Sequence, residues 1–172
     1  MAGKPLSVRV LEQRKILHEV FEFDSGIRSA AEVARETGVG PEAVLKTLVI
    51  EQDPPRGKPY LLMMPADGDV DLKVLAAALG VKKVRMASHK EAERQTGLQV
   101  GGISALALLN KGFTVLIEEG ARSQPHVLVS AGQRGMDLRL ATSDLVSVTG
   151  ARAIAARGAG GTSSDGDASG TA

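Results

Sequence analysis

Three short segments of the 172-residue chain set glycine or a cation beside polar groups and apolar runs: VLKTLVI around Lys46, GLQVGGISAL around Gly101 and Gly102, and VSAGQRGMDLRL from Val129 to Leu140. Paired glycines let a backbone approach a ligand closely and turn N–H groups toward an anion or a developing oxyanion; the same pair also makes a plain tight turn. Lys46 follows Val44 and Leu45 and precedes the alternating Thr47, Leu48, Val49 and Ile50. That context pins the base of its side chain. Its ammonium is either a holder of a phosphate or carbonyl oxygen, or a solvated cation at a strand start. Arg134 can fork onto a phosphate, pair with Asp137, or keep a hairpin loop soluble. Lys82, Lys83 and Arg85, with Lys90 and Arg94 nearby, form either a basic face for an RNA backbone or a solvated helix rim.

Composition narrows the chemistry further. Cysteine is absent, which removes disulfides, thiolate nucleophiles and Cys-containing zinc sites. His18, His89 and His126 lie far apart and outside any HExxH pattern, so neither a metal nor another cofactor is expected. No Ser, His and Asp arrangement is recognisable, which fits a site that works by positioning and electrostatics. Aromatic residues are 2% of the chain, too few for a base-stacking platform of the single-strand-binding kind, and DNA is not an expected partner. The net charge of +1 requires any phosphate affinity to come from locally clustered cations. Apolar stretches are short and interrupted, and the N-terminus lacks a signal-like hydrophobic block, so a cytoplasmic protein without a membrane span is expected.

The elements that must position these residues are legible from caps and periodicity. Ser7 is a possible N-cap for a helix to about Ile16, and Leu17 to Asp24 reads as a strand with Phe21 and Phe23 on one face. Ser29 and Glu32 make a capping box for a helix that stops at Gly38, and Pro41 opens a brief helix to Leu45. Strands over Thr47–Glu51 and Tyr60–Met64 are joined as a hairpin. Asp71 caps a helix that ends at Gly80, Val84–Ala87 is a short strand, and Ser88 with Glu91 opens a polar helix that ends at Gly97. Phe113–Glu118, His126–Ser130 and Met136–Leu140 complete the strands, the last two forming a hairpin. The pattern predicts an α+β fold with a mixed, largely antiparallel, barrel-like sheet and flanking helices. The folded domain spans residues 1–157, and the Gly-, Ser- and Ala-rich residues 158–172 read as a disordered tail.

Taken together, GVGPEAVLKTLVI, DLKVLAAALGVKKVRMA, TGLQVGGIS and VSAGQRGMDLRLATSDL resemble the YbaK/EbsC family, from about Leu6 to Gly150. That family includes Cys-tRNA(Pro) deacylases and the editing insertion domain of bacterial prolyl-tRNA synthetases. The resemblance implies deacylation of a mischarged aminoacyl ester, with mischarged tRNA as partner, and leaves open an association with prolyl-tRNA synthetase. It implies that Lys46 is the signature active-site residue and that Gly101, Gly102, Ile103 and Ser104 line the aminoacyl pocket. Thr47, Ser130, Gly132 and Asp137 match further pocket positions, and Arg134 lies among them. Ala105 and Ala107 stand where the family loop has proline and a second glycine, a change expected to loosen or reshape the pocket wall. Phe23 replaces a frequent tyrosine. Two other functions fit the same pocket: a noncatalytic tRNA- or synthetase-binding module, and a small-molecule-binding regulatory protein.

Overall fold

In the computed structural model, which describes residues 3–27 and 29–158, the elements run in the order α1 (Leu6–Gln13), β1 (His18–Glu22), α2 (Ala30–Thr37), β2 (Leu45–Gln52), β3 (Tyr60–Pro65), α3 (Leu72–Leu79), β4 (Val84–Met86), α4 (His89–Thr96), β5 (Thr114–Glu118), α5 (Glu119–Arg122), β6 (His126–Gln133), β7 (Met136–Ala141), α6 (Thr142–Thr149) and β8 (Arg152–Ile154). Three of the helices start on the predicted caps. Ser29 Oγ accepts the Glu32 N–H, Asp71 accepts those of Lys73 and Val74, and Ser88 Oγ accepts that of Glu91. Gly38, Gly80 and Gly97 end these helices in the left-handed conformation. The expected tail at 158–172 lies, beyond Gly158, outside the described residues.

Two helix starts differ from expectation. Ser7 lies inside α1, whose N-cap is Pro5, because the Ser7 hydroxyl is engaged across the fold, where it donates to the Ala131 carbonyl. The β6–β7 register jumps between Ser130 and Gln133, and a bulge of this kind leaves ladder groups without a strand partner, which a buried carbonyl cannot tolerate. The brief helix from Pro41 is a 3-10 turn over Pro41–Ala43 only, since Leu45 already pairs with Pro65 in the sheet. The helices α5 and α6 and the strand β8 carry no sequence signal strong enough to predict them. In α6 the sequence TSDLVSVT is rich in weak helix formers, and burial of Leu145 and Val148 holds it in place.

Two sheets organise the chain. One has the order β1-β7-β6 and is antiparallel throughout; the other has the order β4-β2-β3-β5-β8, in which β3–β5 and β5–β8 are parallel. The fold is thus mixed α+β, with sheets that approach a barrel without closing: among the described residues a single isolated parallel bridge, Val44 to Leu128, links them. Leu11, Met63, Ile117, Val127, Leu138, Leu140 and Leu145, none more than 1% exposed, form a cluster drawn from both sheets, α1 and α6. Each such side chain contributes roughly 1.5–3 kcal/mol by leaving water. Behind β5, the Arg157 guanidinium donates to Glu118 at 2.8 Å and to Asp67 at 2.7 Å, tying the last described segment to the body.

Candidate functional site

A cavity of about 340 Å³ opens where the two sheets meet. Its walls come from five places: the first turn of α2 (Ser29, Ala30, Ala31), the chain from Val44 to Val49, Met86 and Ala87 with His89 and Ala92 of α4, the loop carrying Val100, Gly101 and Ile103, and Ser130 with Asp137. Lys46, Thr47, Gly101, Ile103, Ser130 and Asp137, distant in sequence, thereby share one space. Lys46 stands at the start of β2, opposite Met64 of β3, with its side chain 30% exposed. Its Nζ lies 3.5 Å from Oδ1 of Asp69, which is 99% exposed. An ion pair so open to water is worth little, so the ammonium remains available to a better anion.

The loop bearing Gly101 is locked to the β6–β7 turn. A Cβ on Gly102 would lie 2.9 Å from the Arg134 backbone nitrogen and from the Gln133 carbonyl carbon, so only glycine permits the approach. Arg134 Nε donates to the Val100 carbonyl at 2.8 Å, and the Gly102 N–H donates to the Gln99 carbonyl at 2.8 Å. The roles expected for these two residues change accordingly. Gly102 uses its N–H inside the turn and does not line the cavity, and Arg134 clamps the loop rather than pairing with Asp137. Gly101, at φ +93°, lines the cavity, and its N–H has no hydrogen-bond partner among the described residues.

Ser104 and Gly132 also sit behind the wall rather than in it. Ser104 is 1% exposed, and its Oγ accepts the Leu106 N–H, capping a 3-10 turn over Ala105–Ala107. Alanine at 105 and 107 is packed into the fold at this turn. Ala105 and Leu106 are buried, and the Ala107 methyl occupies the space a Cβ on Gly132 would need, 2.8 Å away. Gly132, at φ +106°, donates its N–H to Ser130 Oγ at 3.1 Å, which orients that hydroxyl.

Asp137 is the unusual group. It sits on the central strand β7, directly across from Ser130 on β6 and Phe21 on β1, and is 7% exposed. Its carboxylate makes no hydrogen bond or ion pair with the described residues, and burial alone pushes its pKa up to about 6. A buried carboxylate that faces a cavity without a partner is prepared for a cationic or proton-donating ligand. Among the described residues, no group of His, Cys, Asp or Glu is arranged to hold a metal ion, and no helix is long and apolar enough to cross a membrane.

Sequence reading did not find the contributions of α2, Met86, Ala87, His89 and Ala92 to this cavity. The Ser29 and Ser88 caps were visible signals for where those helices start, but nothing local shows that both starts face the same space.

The sequence model of the aminoacyl-tRNA editing domain matches residues 24–148, which include every residue named above as lining the cavity. The chain belongs to the aminoacyl-tRNA editing domain family. It is 34% identical over 148 residues to an Enterococcus faecalis protein provisionally named a Cys-tRNA(Pro)/Cys-tRNA(Cys) deacylase, EbsC, covering 85% of this chain and 88% of that protein. It is also 33% identical over 78 residues to the proline–tRNA ligase of Acidithiobacillus ferrooxidans, a match spanning 45% of this chain and 13% of the ligase. Two crystal structures share the fold at 23% identity. One, of a hypothetical protein, has a TM-score of 0.77 and covers 88% of this chain and 98% of its own. The other, provisionally described as a trans-editing enzyme for prolyl-tRNA synthetase, has a TM-score of 0.74 and covers 91% and 99%.

Proposed function

We propose that this member of the editing family hydrolyses the ester joining a mischarged small amino acid to the terminal adenosine of a transfer RNA, with cysteine on tRNA(Pro) as the first candidate substrate. The observation that carries the reading is the convergence of a cation, a free backbone N–H and a buried carboxylate on one cavity: Lys46, Gly101 and Asp137. These three match the three charges or developing charges of an aminoacyl ester. Asp137 pairs the α-ammonium, the Gly101 N–H takes the ester carbonyl oxygen as it becomes an oxyanion, and Lys46 holds the adenosine or its phosphate.

An ester on a ribose is already activated, so positioning suffices and no strong protein nucleophile is needed. Thr47 and Ser130 are the cavity hydroxyls next to these groups, and neither is hydrogen-bonded to a side-chain base among the described residues. The attacking group is therefore water, which a neighbouring ribose hydroxyl can orient, or the substrate's own thiol. In the water route a C–O bond forms to the ester carbon, the bond to the ribose oxygen breaks, and the water proton passes to that oxygen. The names of the relatives support the substrate class, and the small, mostly apolar lining of alanines and valines supports a small side chain.

Losing one preorganised donor typically costs roughly 3 kcal/mol of transition-state stabilisation. Lys46→Ala should therefore slow single-turnover deacylation of Cys-tRNA(Pro) or Ala-tRNA(Pro) by about a hundredfold while leaving the melting temperature unchanged. Equal rates for the two proteins would remove Lys46 from the mechanism.

A further inference from the structure

The aminoacyl cavity does not end at its mouth. Met86 is also part of the wall of a second, polar groove of about 580 Å³. This residue lies on the edge strand β4 and is 42% exposed, one of four large apolar side chains among the described residues that stay open to water. Helix α4 divides the two spaces by its own periodicity: His89 and Ala92 face the cavity, whereas Ser88 with Glu91, Arg94 and Gln95 faces the groove. The opposite wall is the β2–β3 turn, where the exposed Pro55 offers a flat apolar ring, Gly57 leaves room and the buried Pro59 closes the floor.

Charge marks the same place. Residues 82–94 contain five basic and two acidic side chains, an excess of three in a chain whose whole net charge is +1. One of the acids, Glu93, is engaged elsewhere, since its carboxylate accepts the Val100 N–H at 2.8 Å. Within the groove, Glu51 holds Arg85 at 2.9 Å and Glu91 holds Arg94. These carboxylates, with Asp53 3.6 Å from Arg85 and 3.4 Å from Lys83, balance the charges of the groove itself, and the exposed Lys82 and Lys90, neighbours in the chain of its lining residues, add positive charge nearby. The carboxylates also fix the guanidinium planes, and each arginine keeps donors free for a phosphate oxygen.

We infer that this groove receives the nucleotides immediately preceding the terminal adenosine, so that the 3′ strand of the RNA leaves the cavity over Met86 with a base against Pro55 and its phosphates toward Arg85, Arg94 and Lys90. The inference rests on the deacylase reading. A ligand whose last unit fills the cavity must continue out of its mouth, and the groove, which shares Met86 with the cavity, offers it an apolar ring at Pro55 and guanidinium donors at Arg85 and Arg94. Few phosphates are reached, so the salt dependence is shallow, about 0.7 in log–log slope for each one.

The test compares two minimal substrates, cysteinyl esters of adenosine 5′-monophosphate and of the trinucleotide CCA. In the wild-type protein the trinucleotide gains about tenfold or more in kcat/KM, the scale of one stacked base. In Arg85→Gln/Arg94→Gln, and separately in Gln95→Trp, which fills the groove, that ratio falls to about one while turnover of the mononucleotide ester is unchanged. A wild-type ratio near one, or a ratio retained in both variants, overturns the inference. If no ester is turned over at all, it is the deacylase reading that fails. The groove is then judged by backbone amide shifts on adding uncharged CCA: shifts at Gly57, Arg85 and Gln95 uphold it, and their absence overturns it.

Discussion

Replacing Asp137 by asparagine should make the protein more stable and less active, with the gain depending on pH in a defined way. Asp137 is 7% exposed, its carboxylate has no hydrogen-bond partner among the described residues, and burial pushes its pKa from an ordinary 3.8 to about 6. Because the folded-state pKa lies above the unfolded one, the folded protein binds the extra proton between these values. Stability is unpenalised below about pH 4, falls as pH rises toward 6, and stays at the reduced level above it. A shift of about two units corresponds to about 3 kcal/mol, which for a domain of this size is roughly 6–12 °C in melting temperature. Asparagine keeps the shape and the neutral polarity without the charge, so thermal melts of wild type and Asp137→Asn should coincide near pH 4 and separate by several degrees at about pH 7.5. Deacylation should meanwhile fall about 10- to 100-fold through loss of the charged hydrogen bond to the α-ammonium. Curves that coincide at every pH, or a variant less stable than wild type at neutral pH, would refute the view of Asp137 as an uncompensated buried charge kept for the substrate.

Other consequences follow from the same geometry. In wild-type protein, kcat/KM for a mischarged tRNA should fall on the acid side of about pH 6, where Asp137 takes up its proton, and a rate that stays flat across that value would separate this group from substrate recognition. Gly102→Ala forces the loop away from the backbone of Gln133 and Arg134, at about 1–3 kcal/mol in urea unfolding together with slower deacylation; unchanged stability would show that the contact is not constraining. Arg157→Met leaves Glu118, 3% exposed, without its guanidinium and should cost about 3 kcal/mol, with part recovered in the double variant carrying Glu118→Gln.

Local physics made much of this protein legible before any coordinates. Ser29, Asp71 and Ser88 with Gly38, Gly80 and Gly97 mark helix ends through hydrogen bonds between residues two to four apart, and the alternation in Thr47–Ile50 marks a strand. Those interactions involve near neighbours, so residue order alone carries them. It also carried the motifs around Lys46, Gly101 and Asp137, because their residue types and their resemblance to a family require no geometry. What order could not carry was the division of labour within the motifs. Gly101 and Gly102 are indistinguishable as letters, yet one lines the cavity and the other lies against Arg134, because a hairpin distant in sequence approaches only one of them. Arg134 reaches Val100 rather than its near neighbour Asp137, and Ser7 supports a bulge 124 residues further on, for the same reason. Burial is the clearest case: Asp137 is an ordinary carboxylate as a letter in the sequence, and only the packing of β7 between β1 and β6 withdraws it from water and raises its proton affinity.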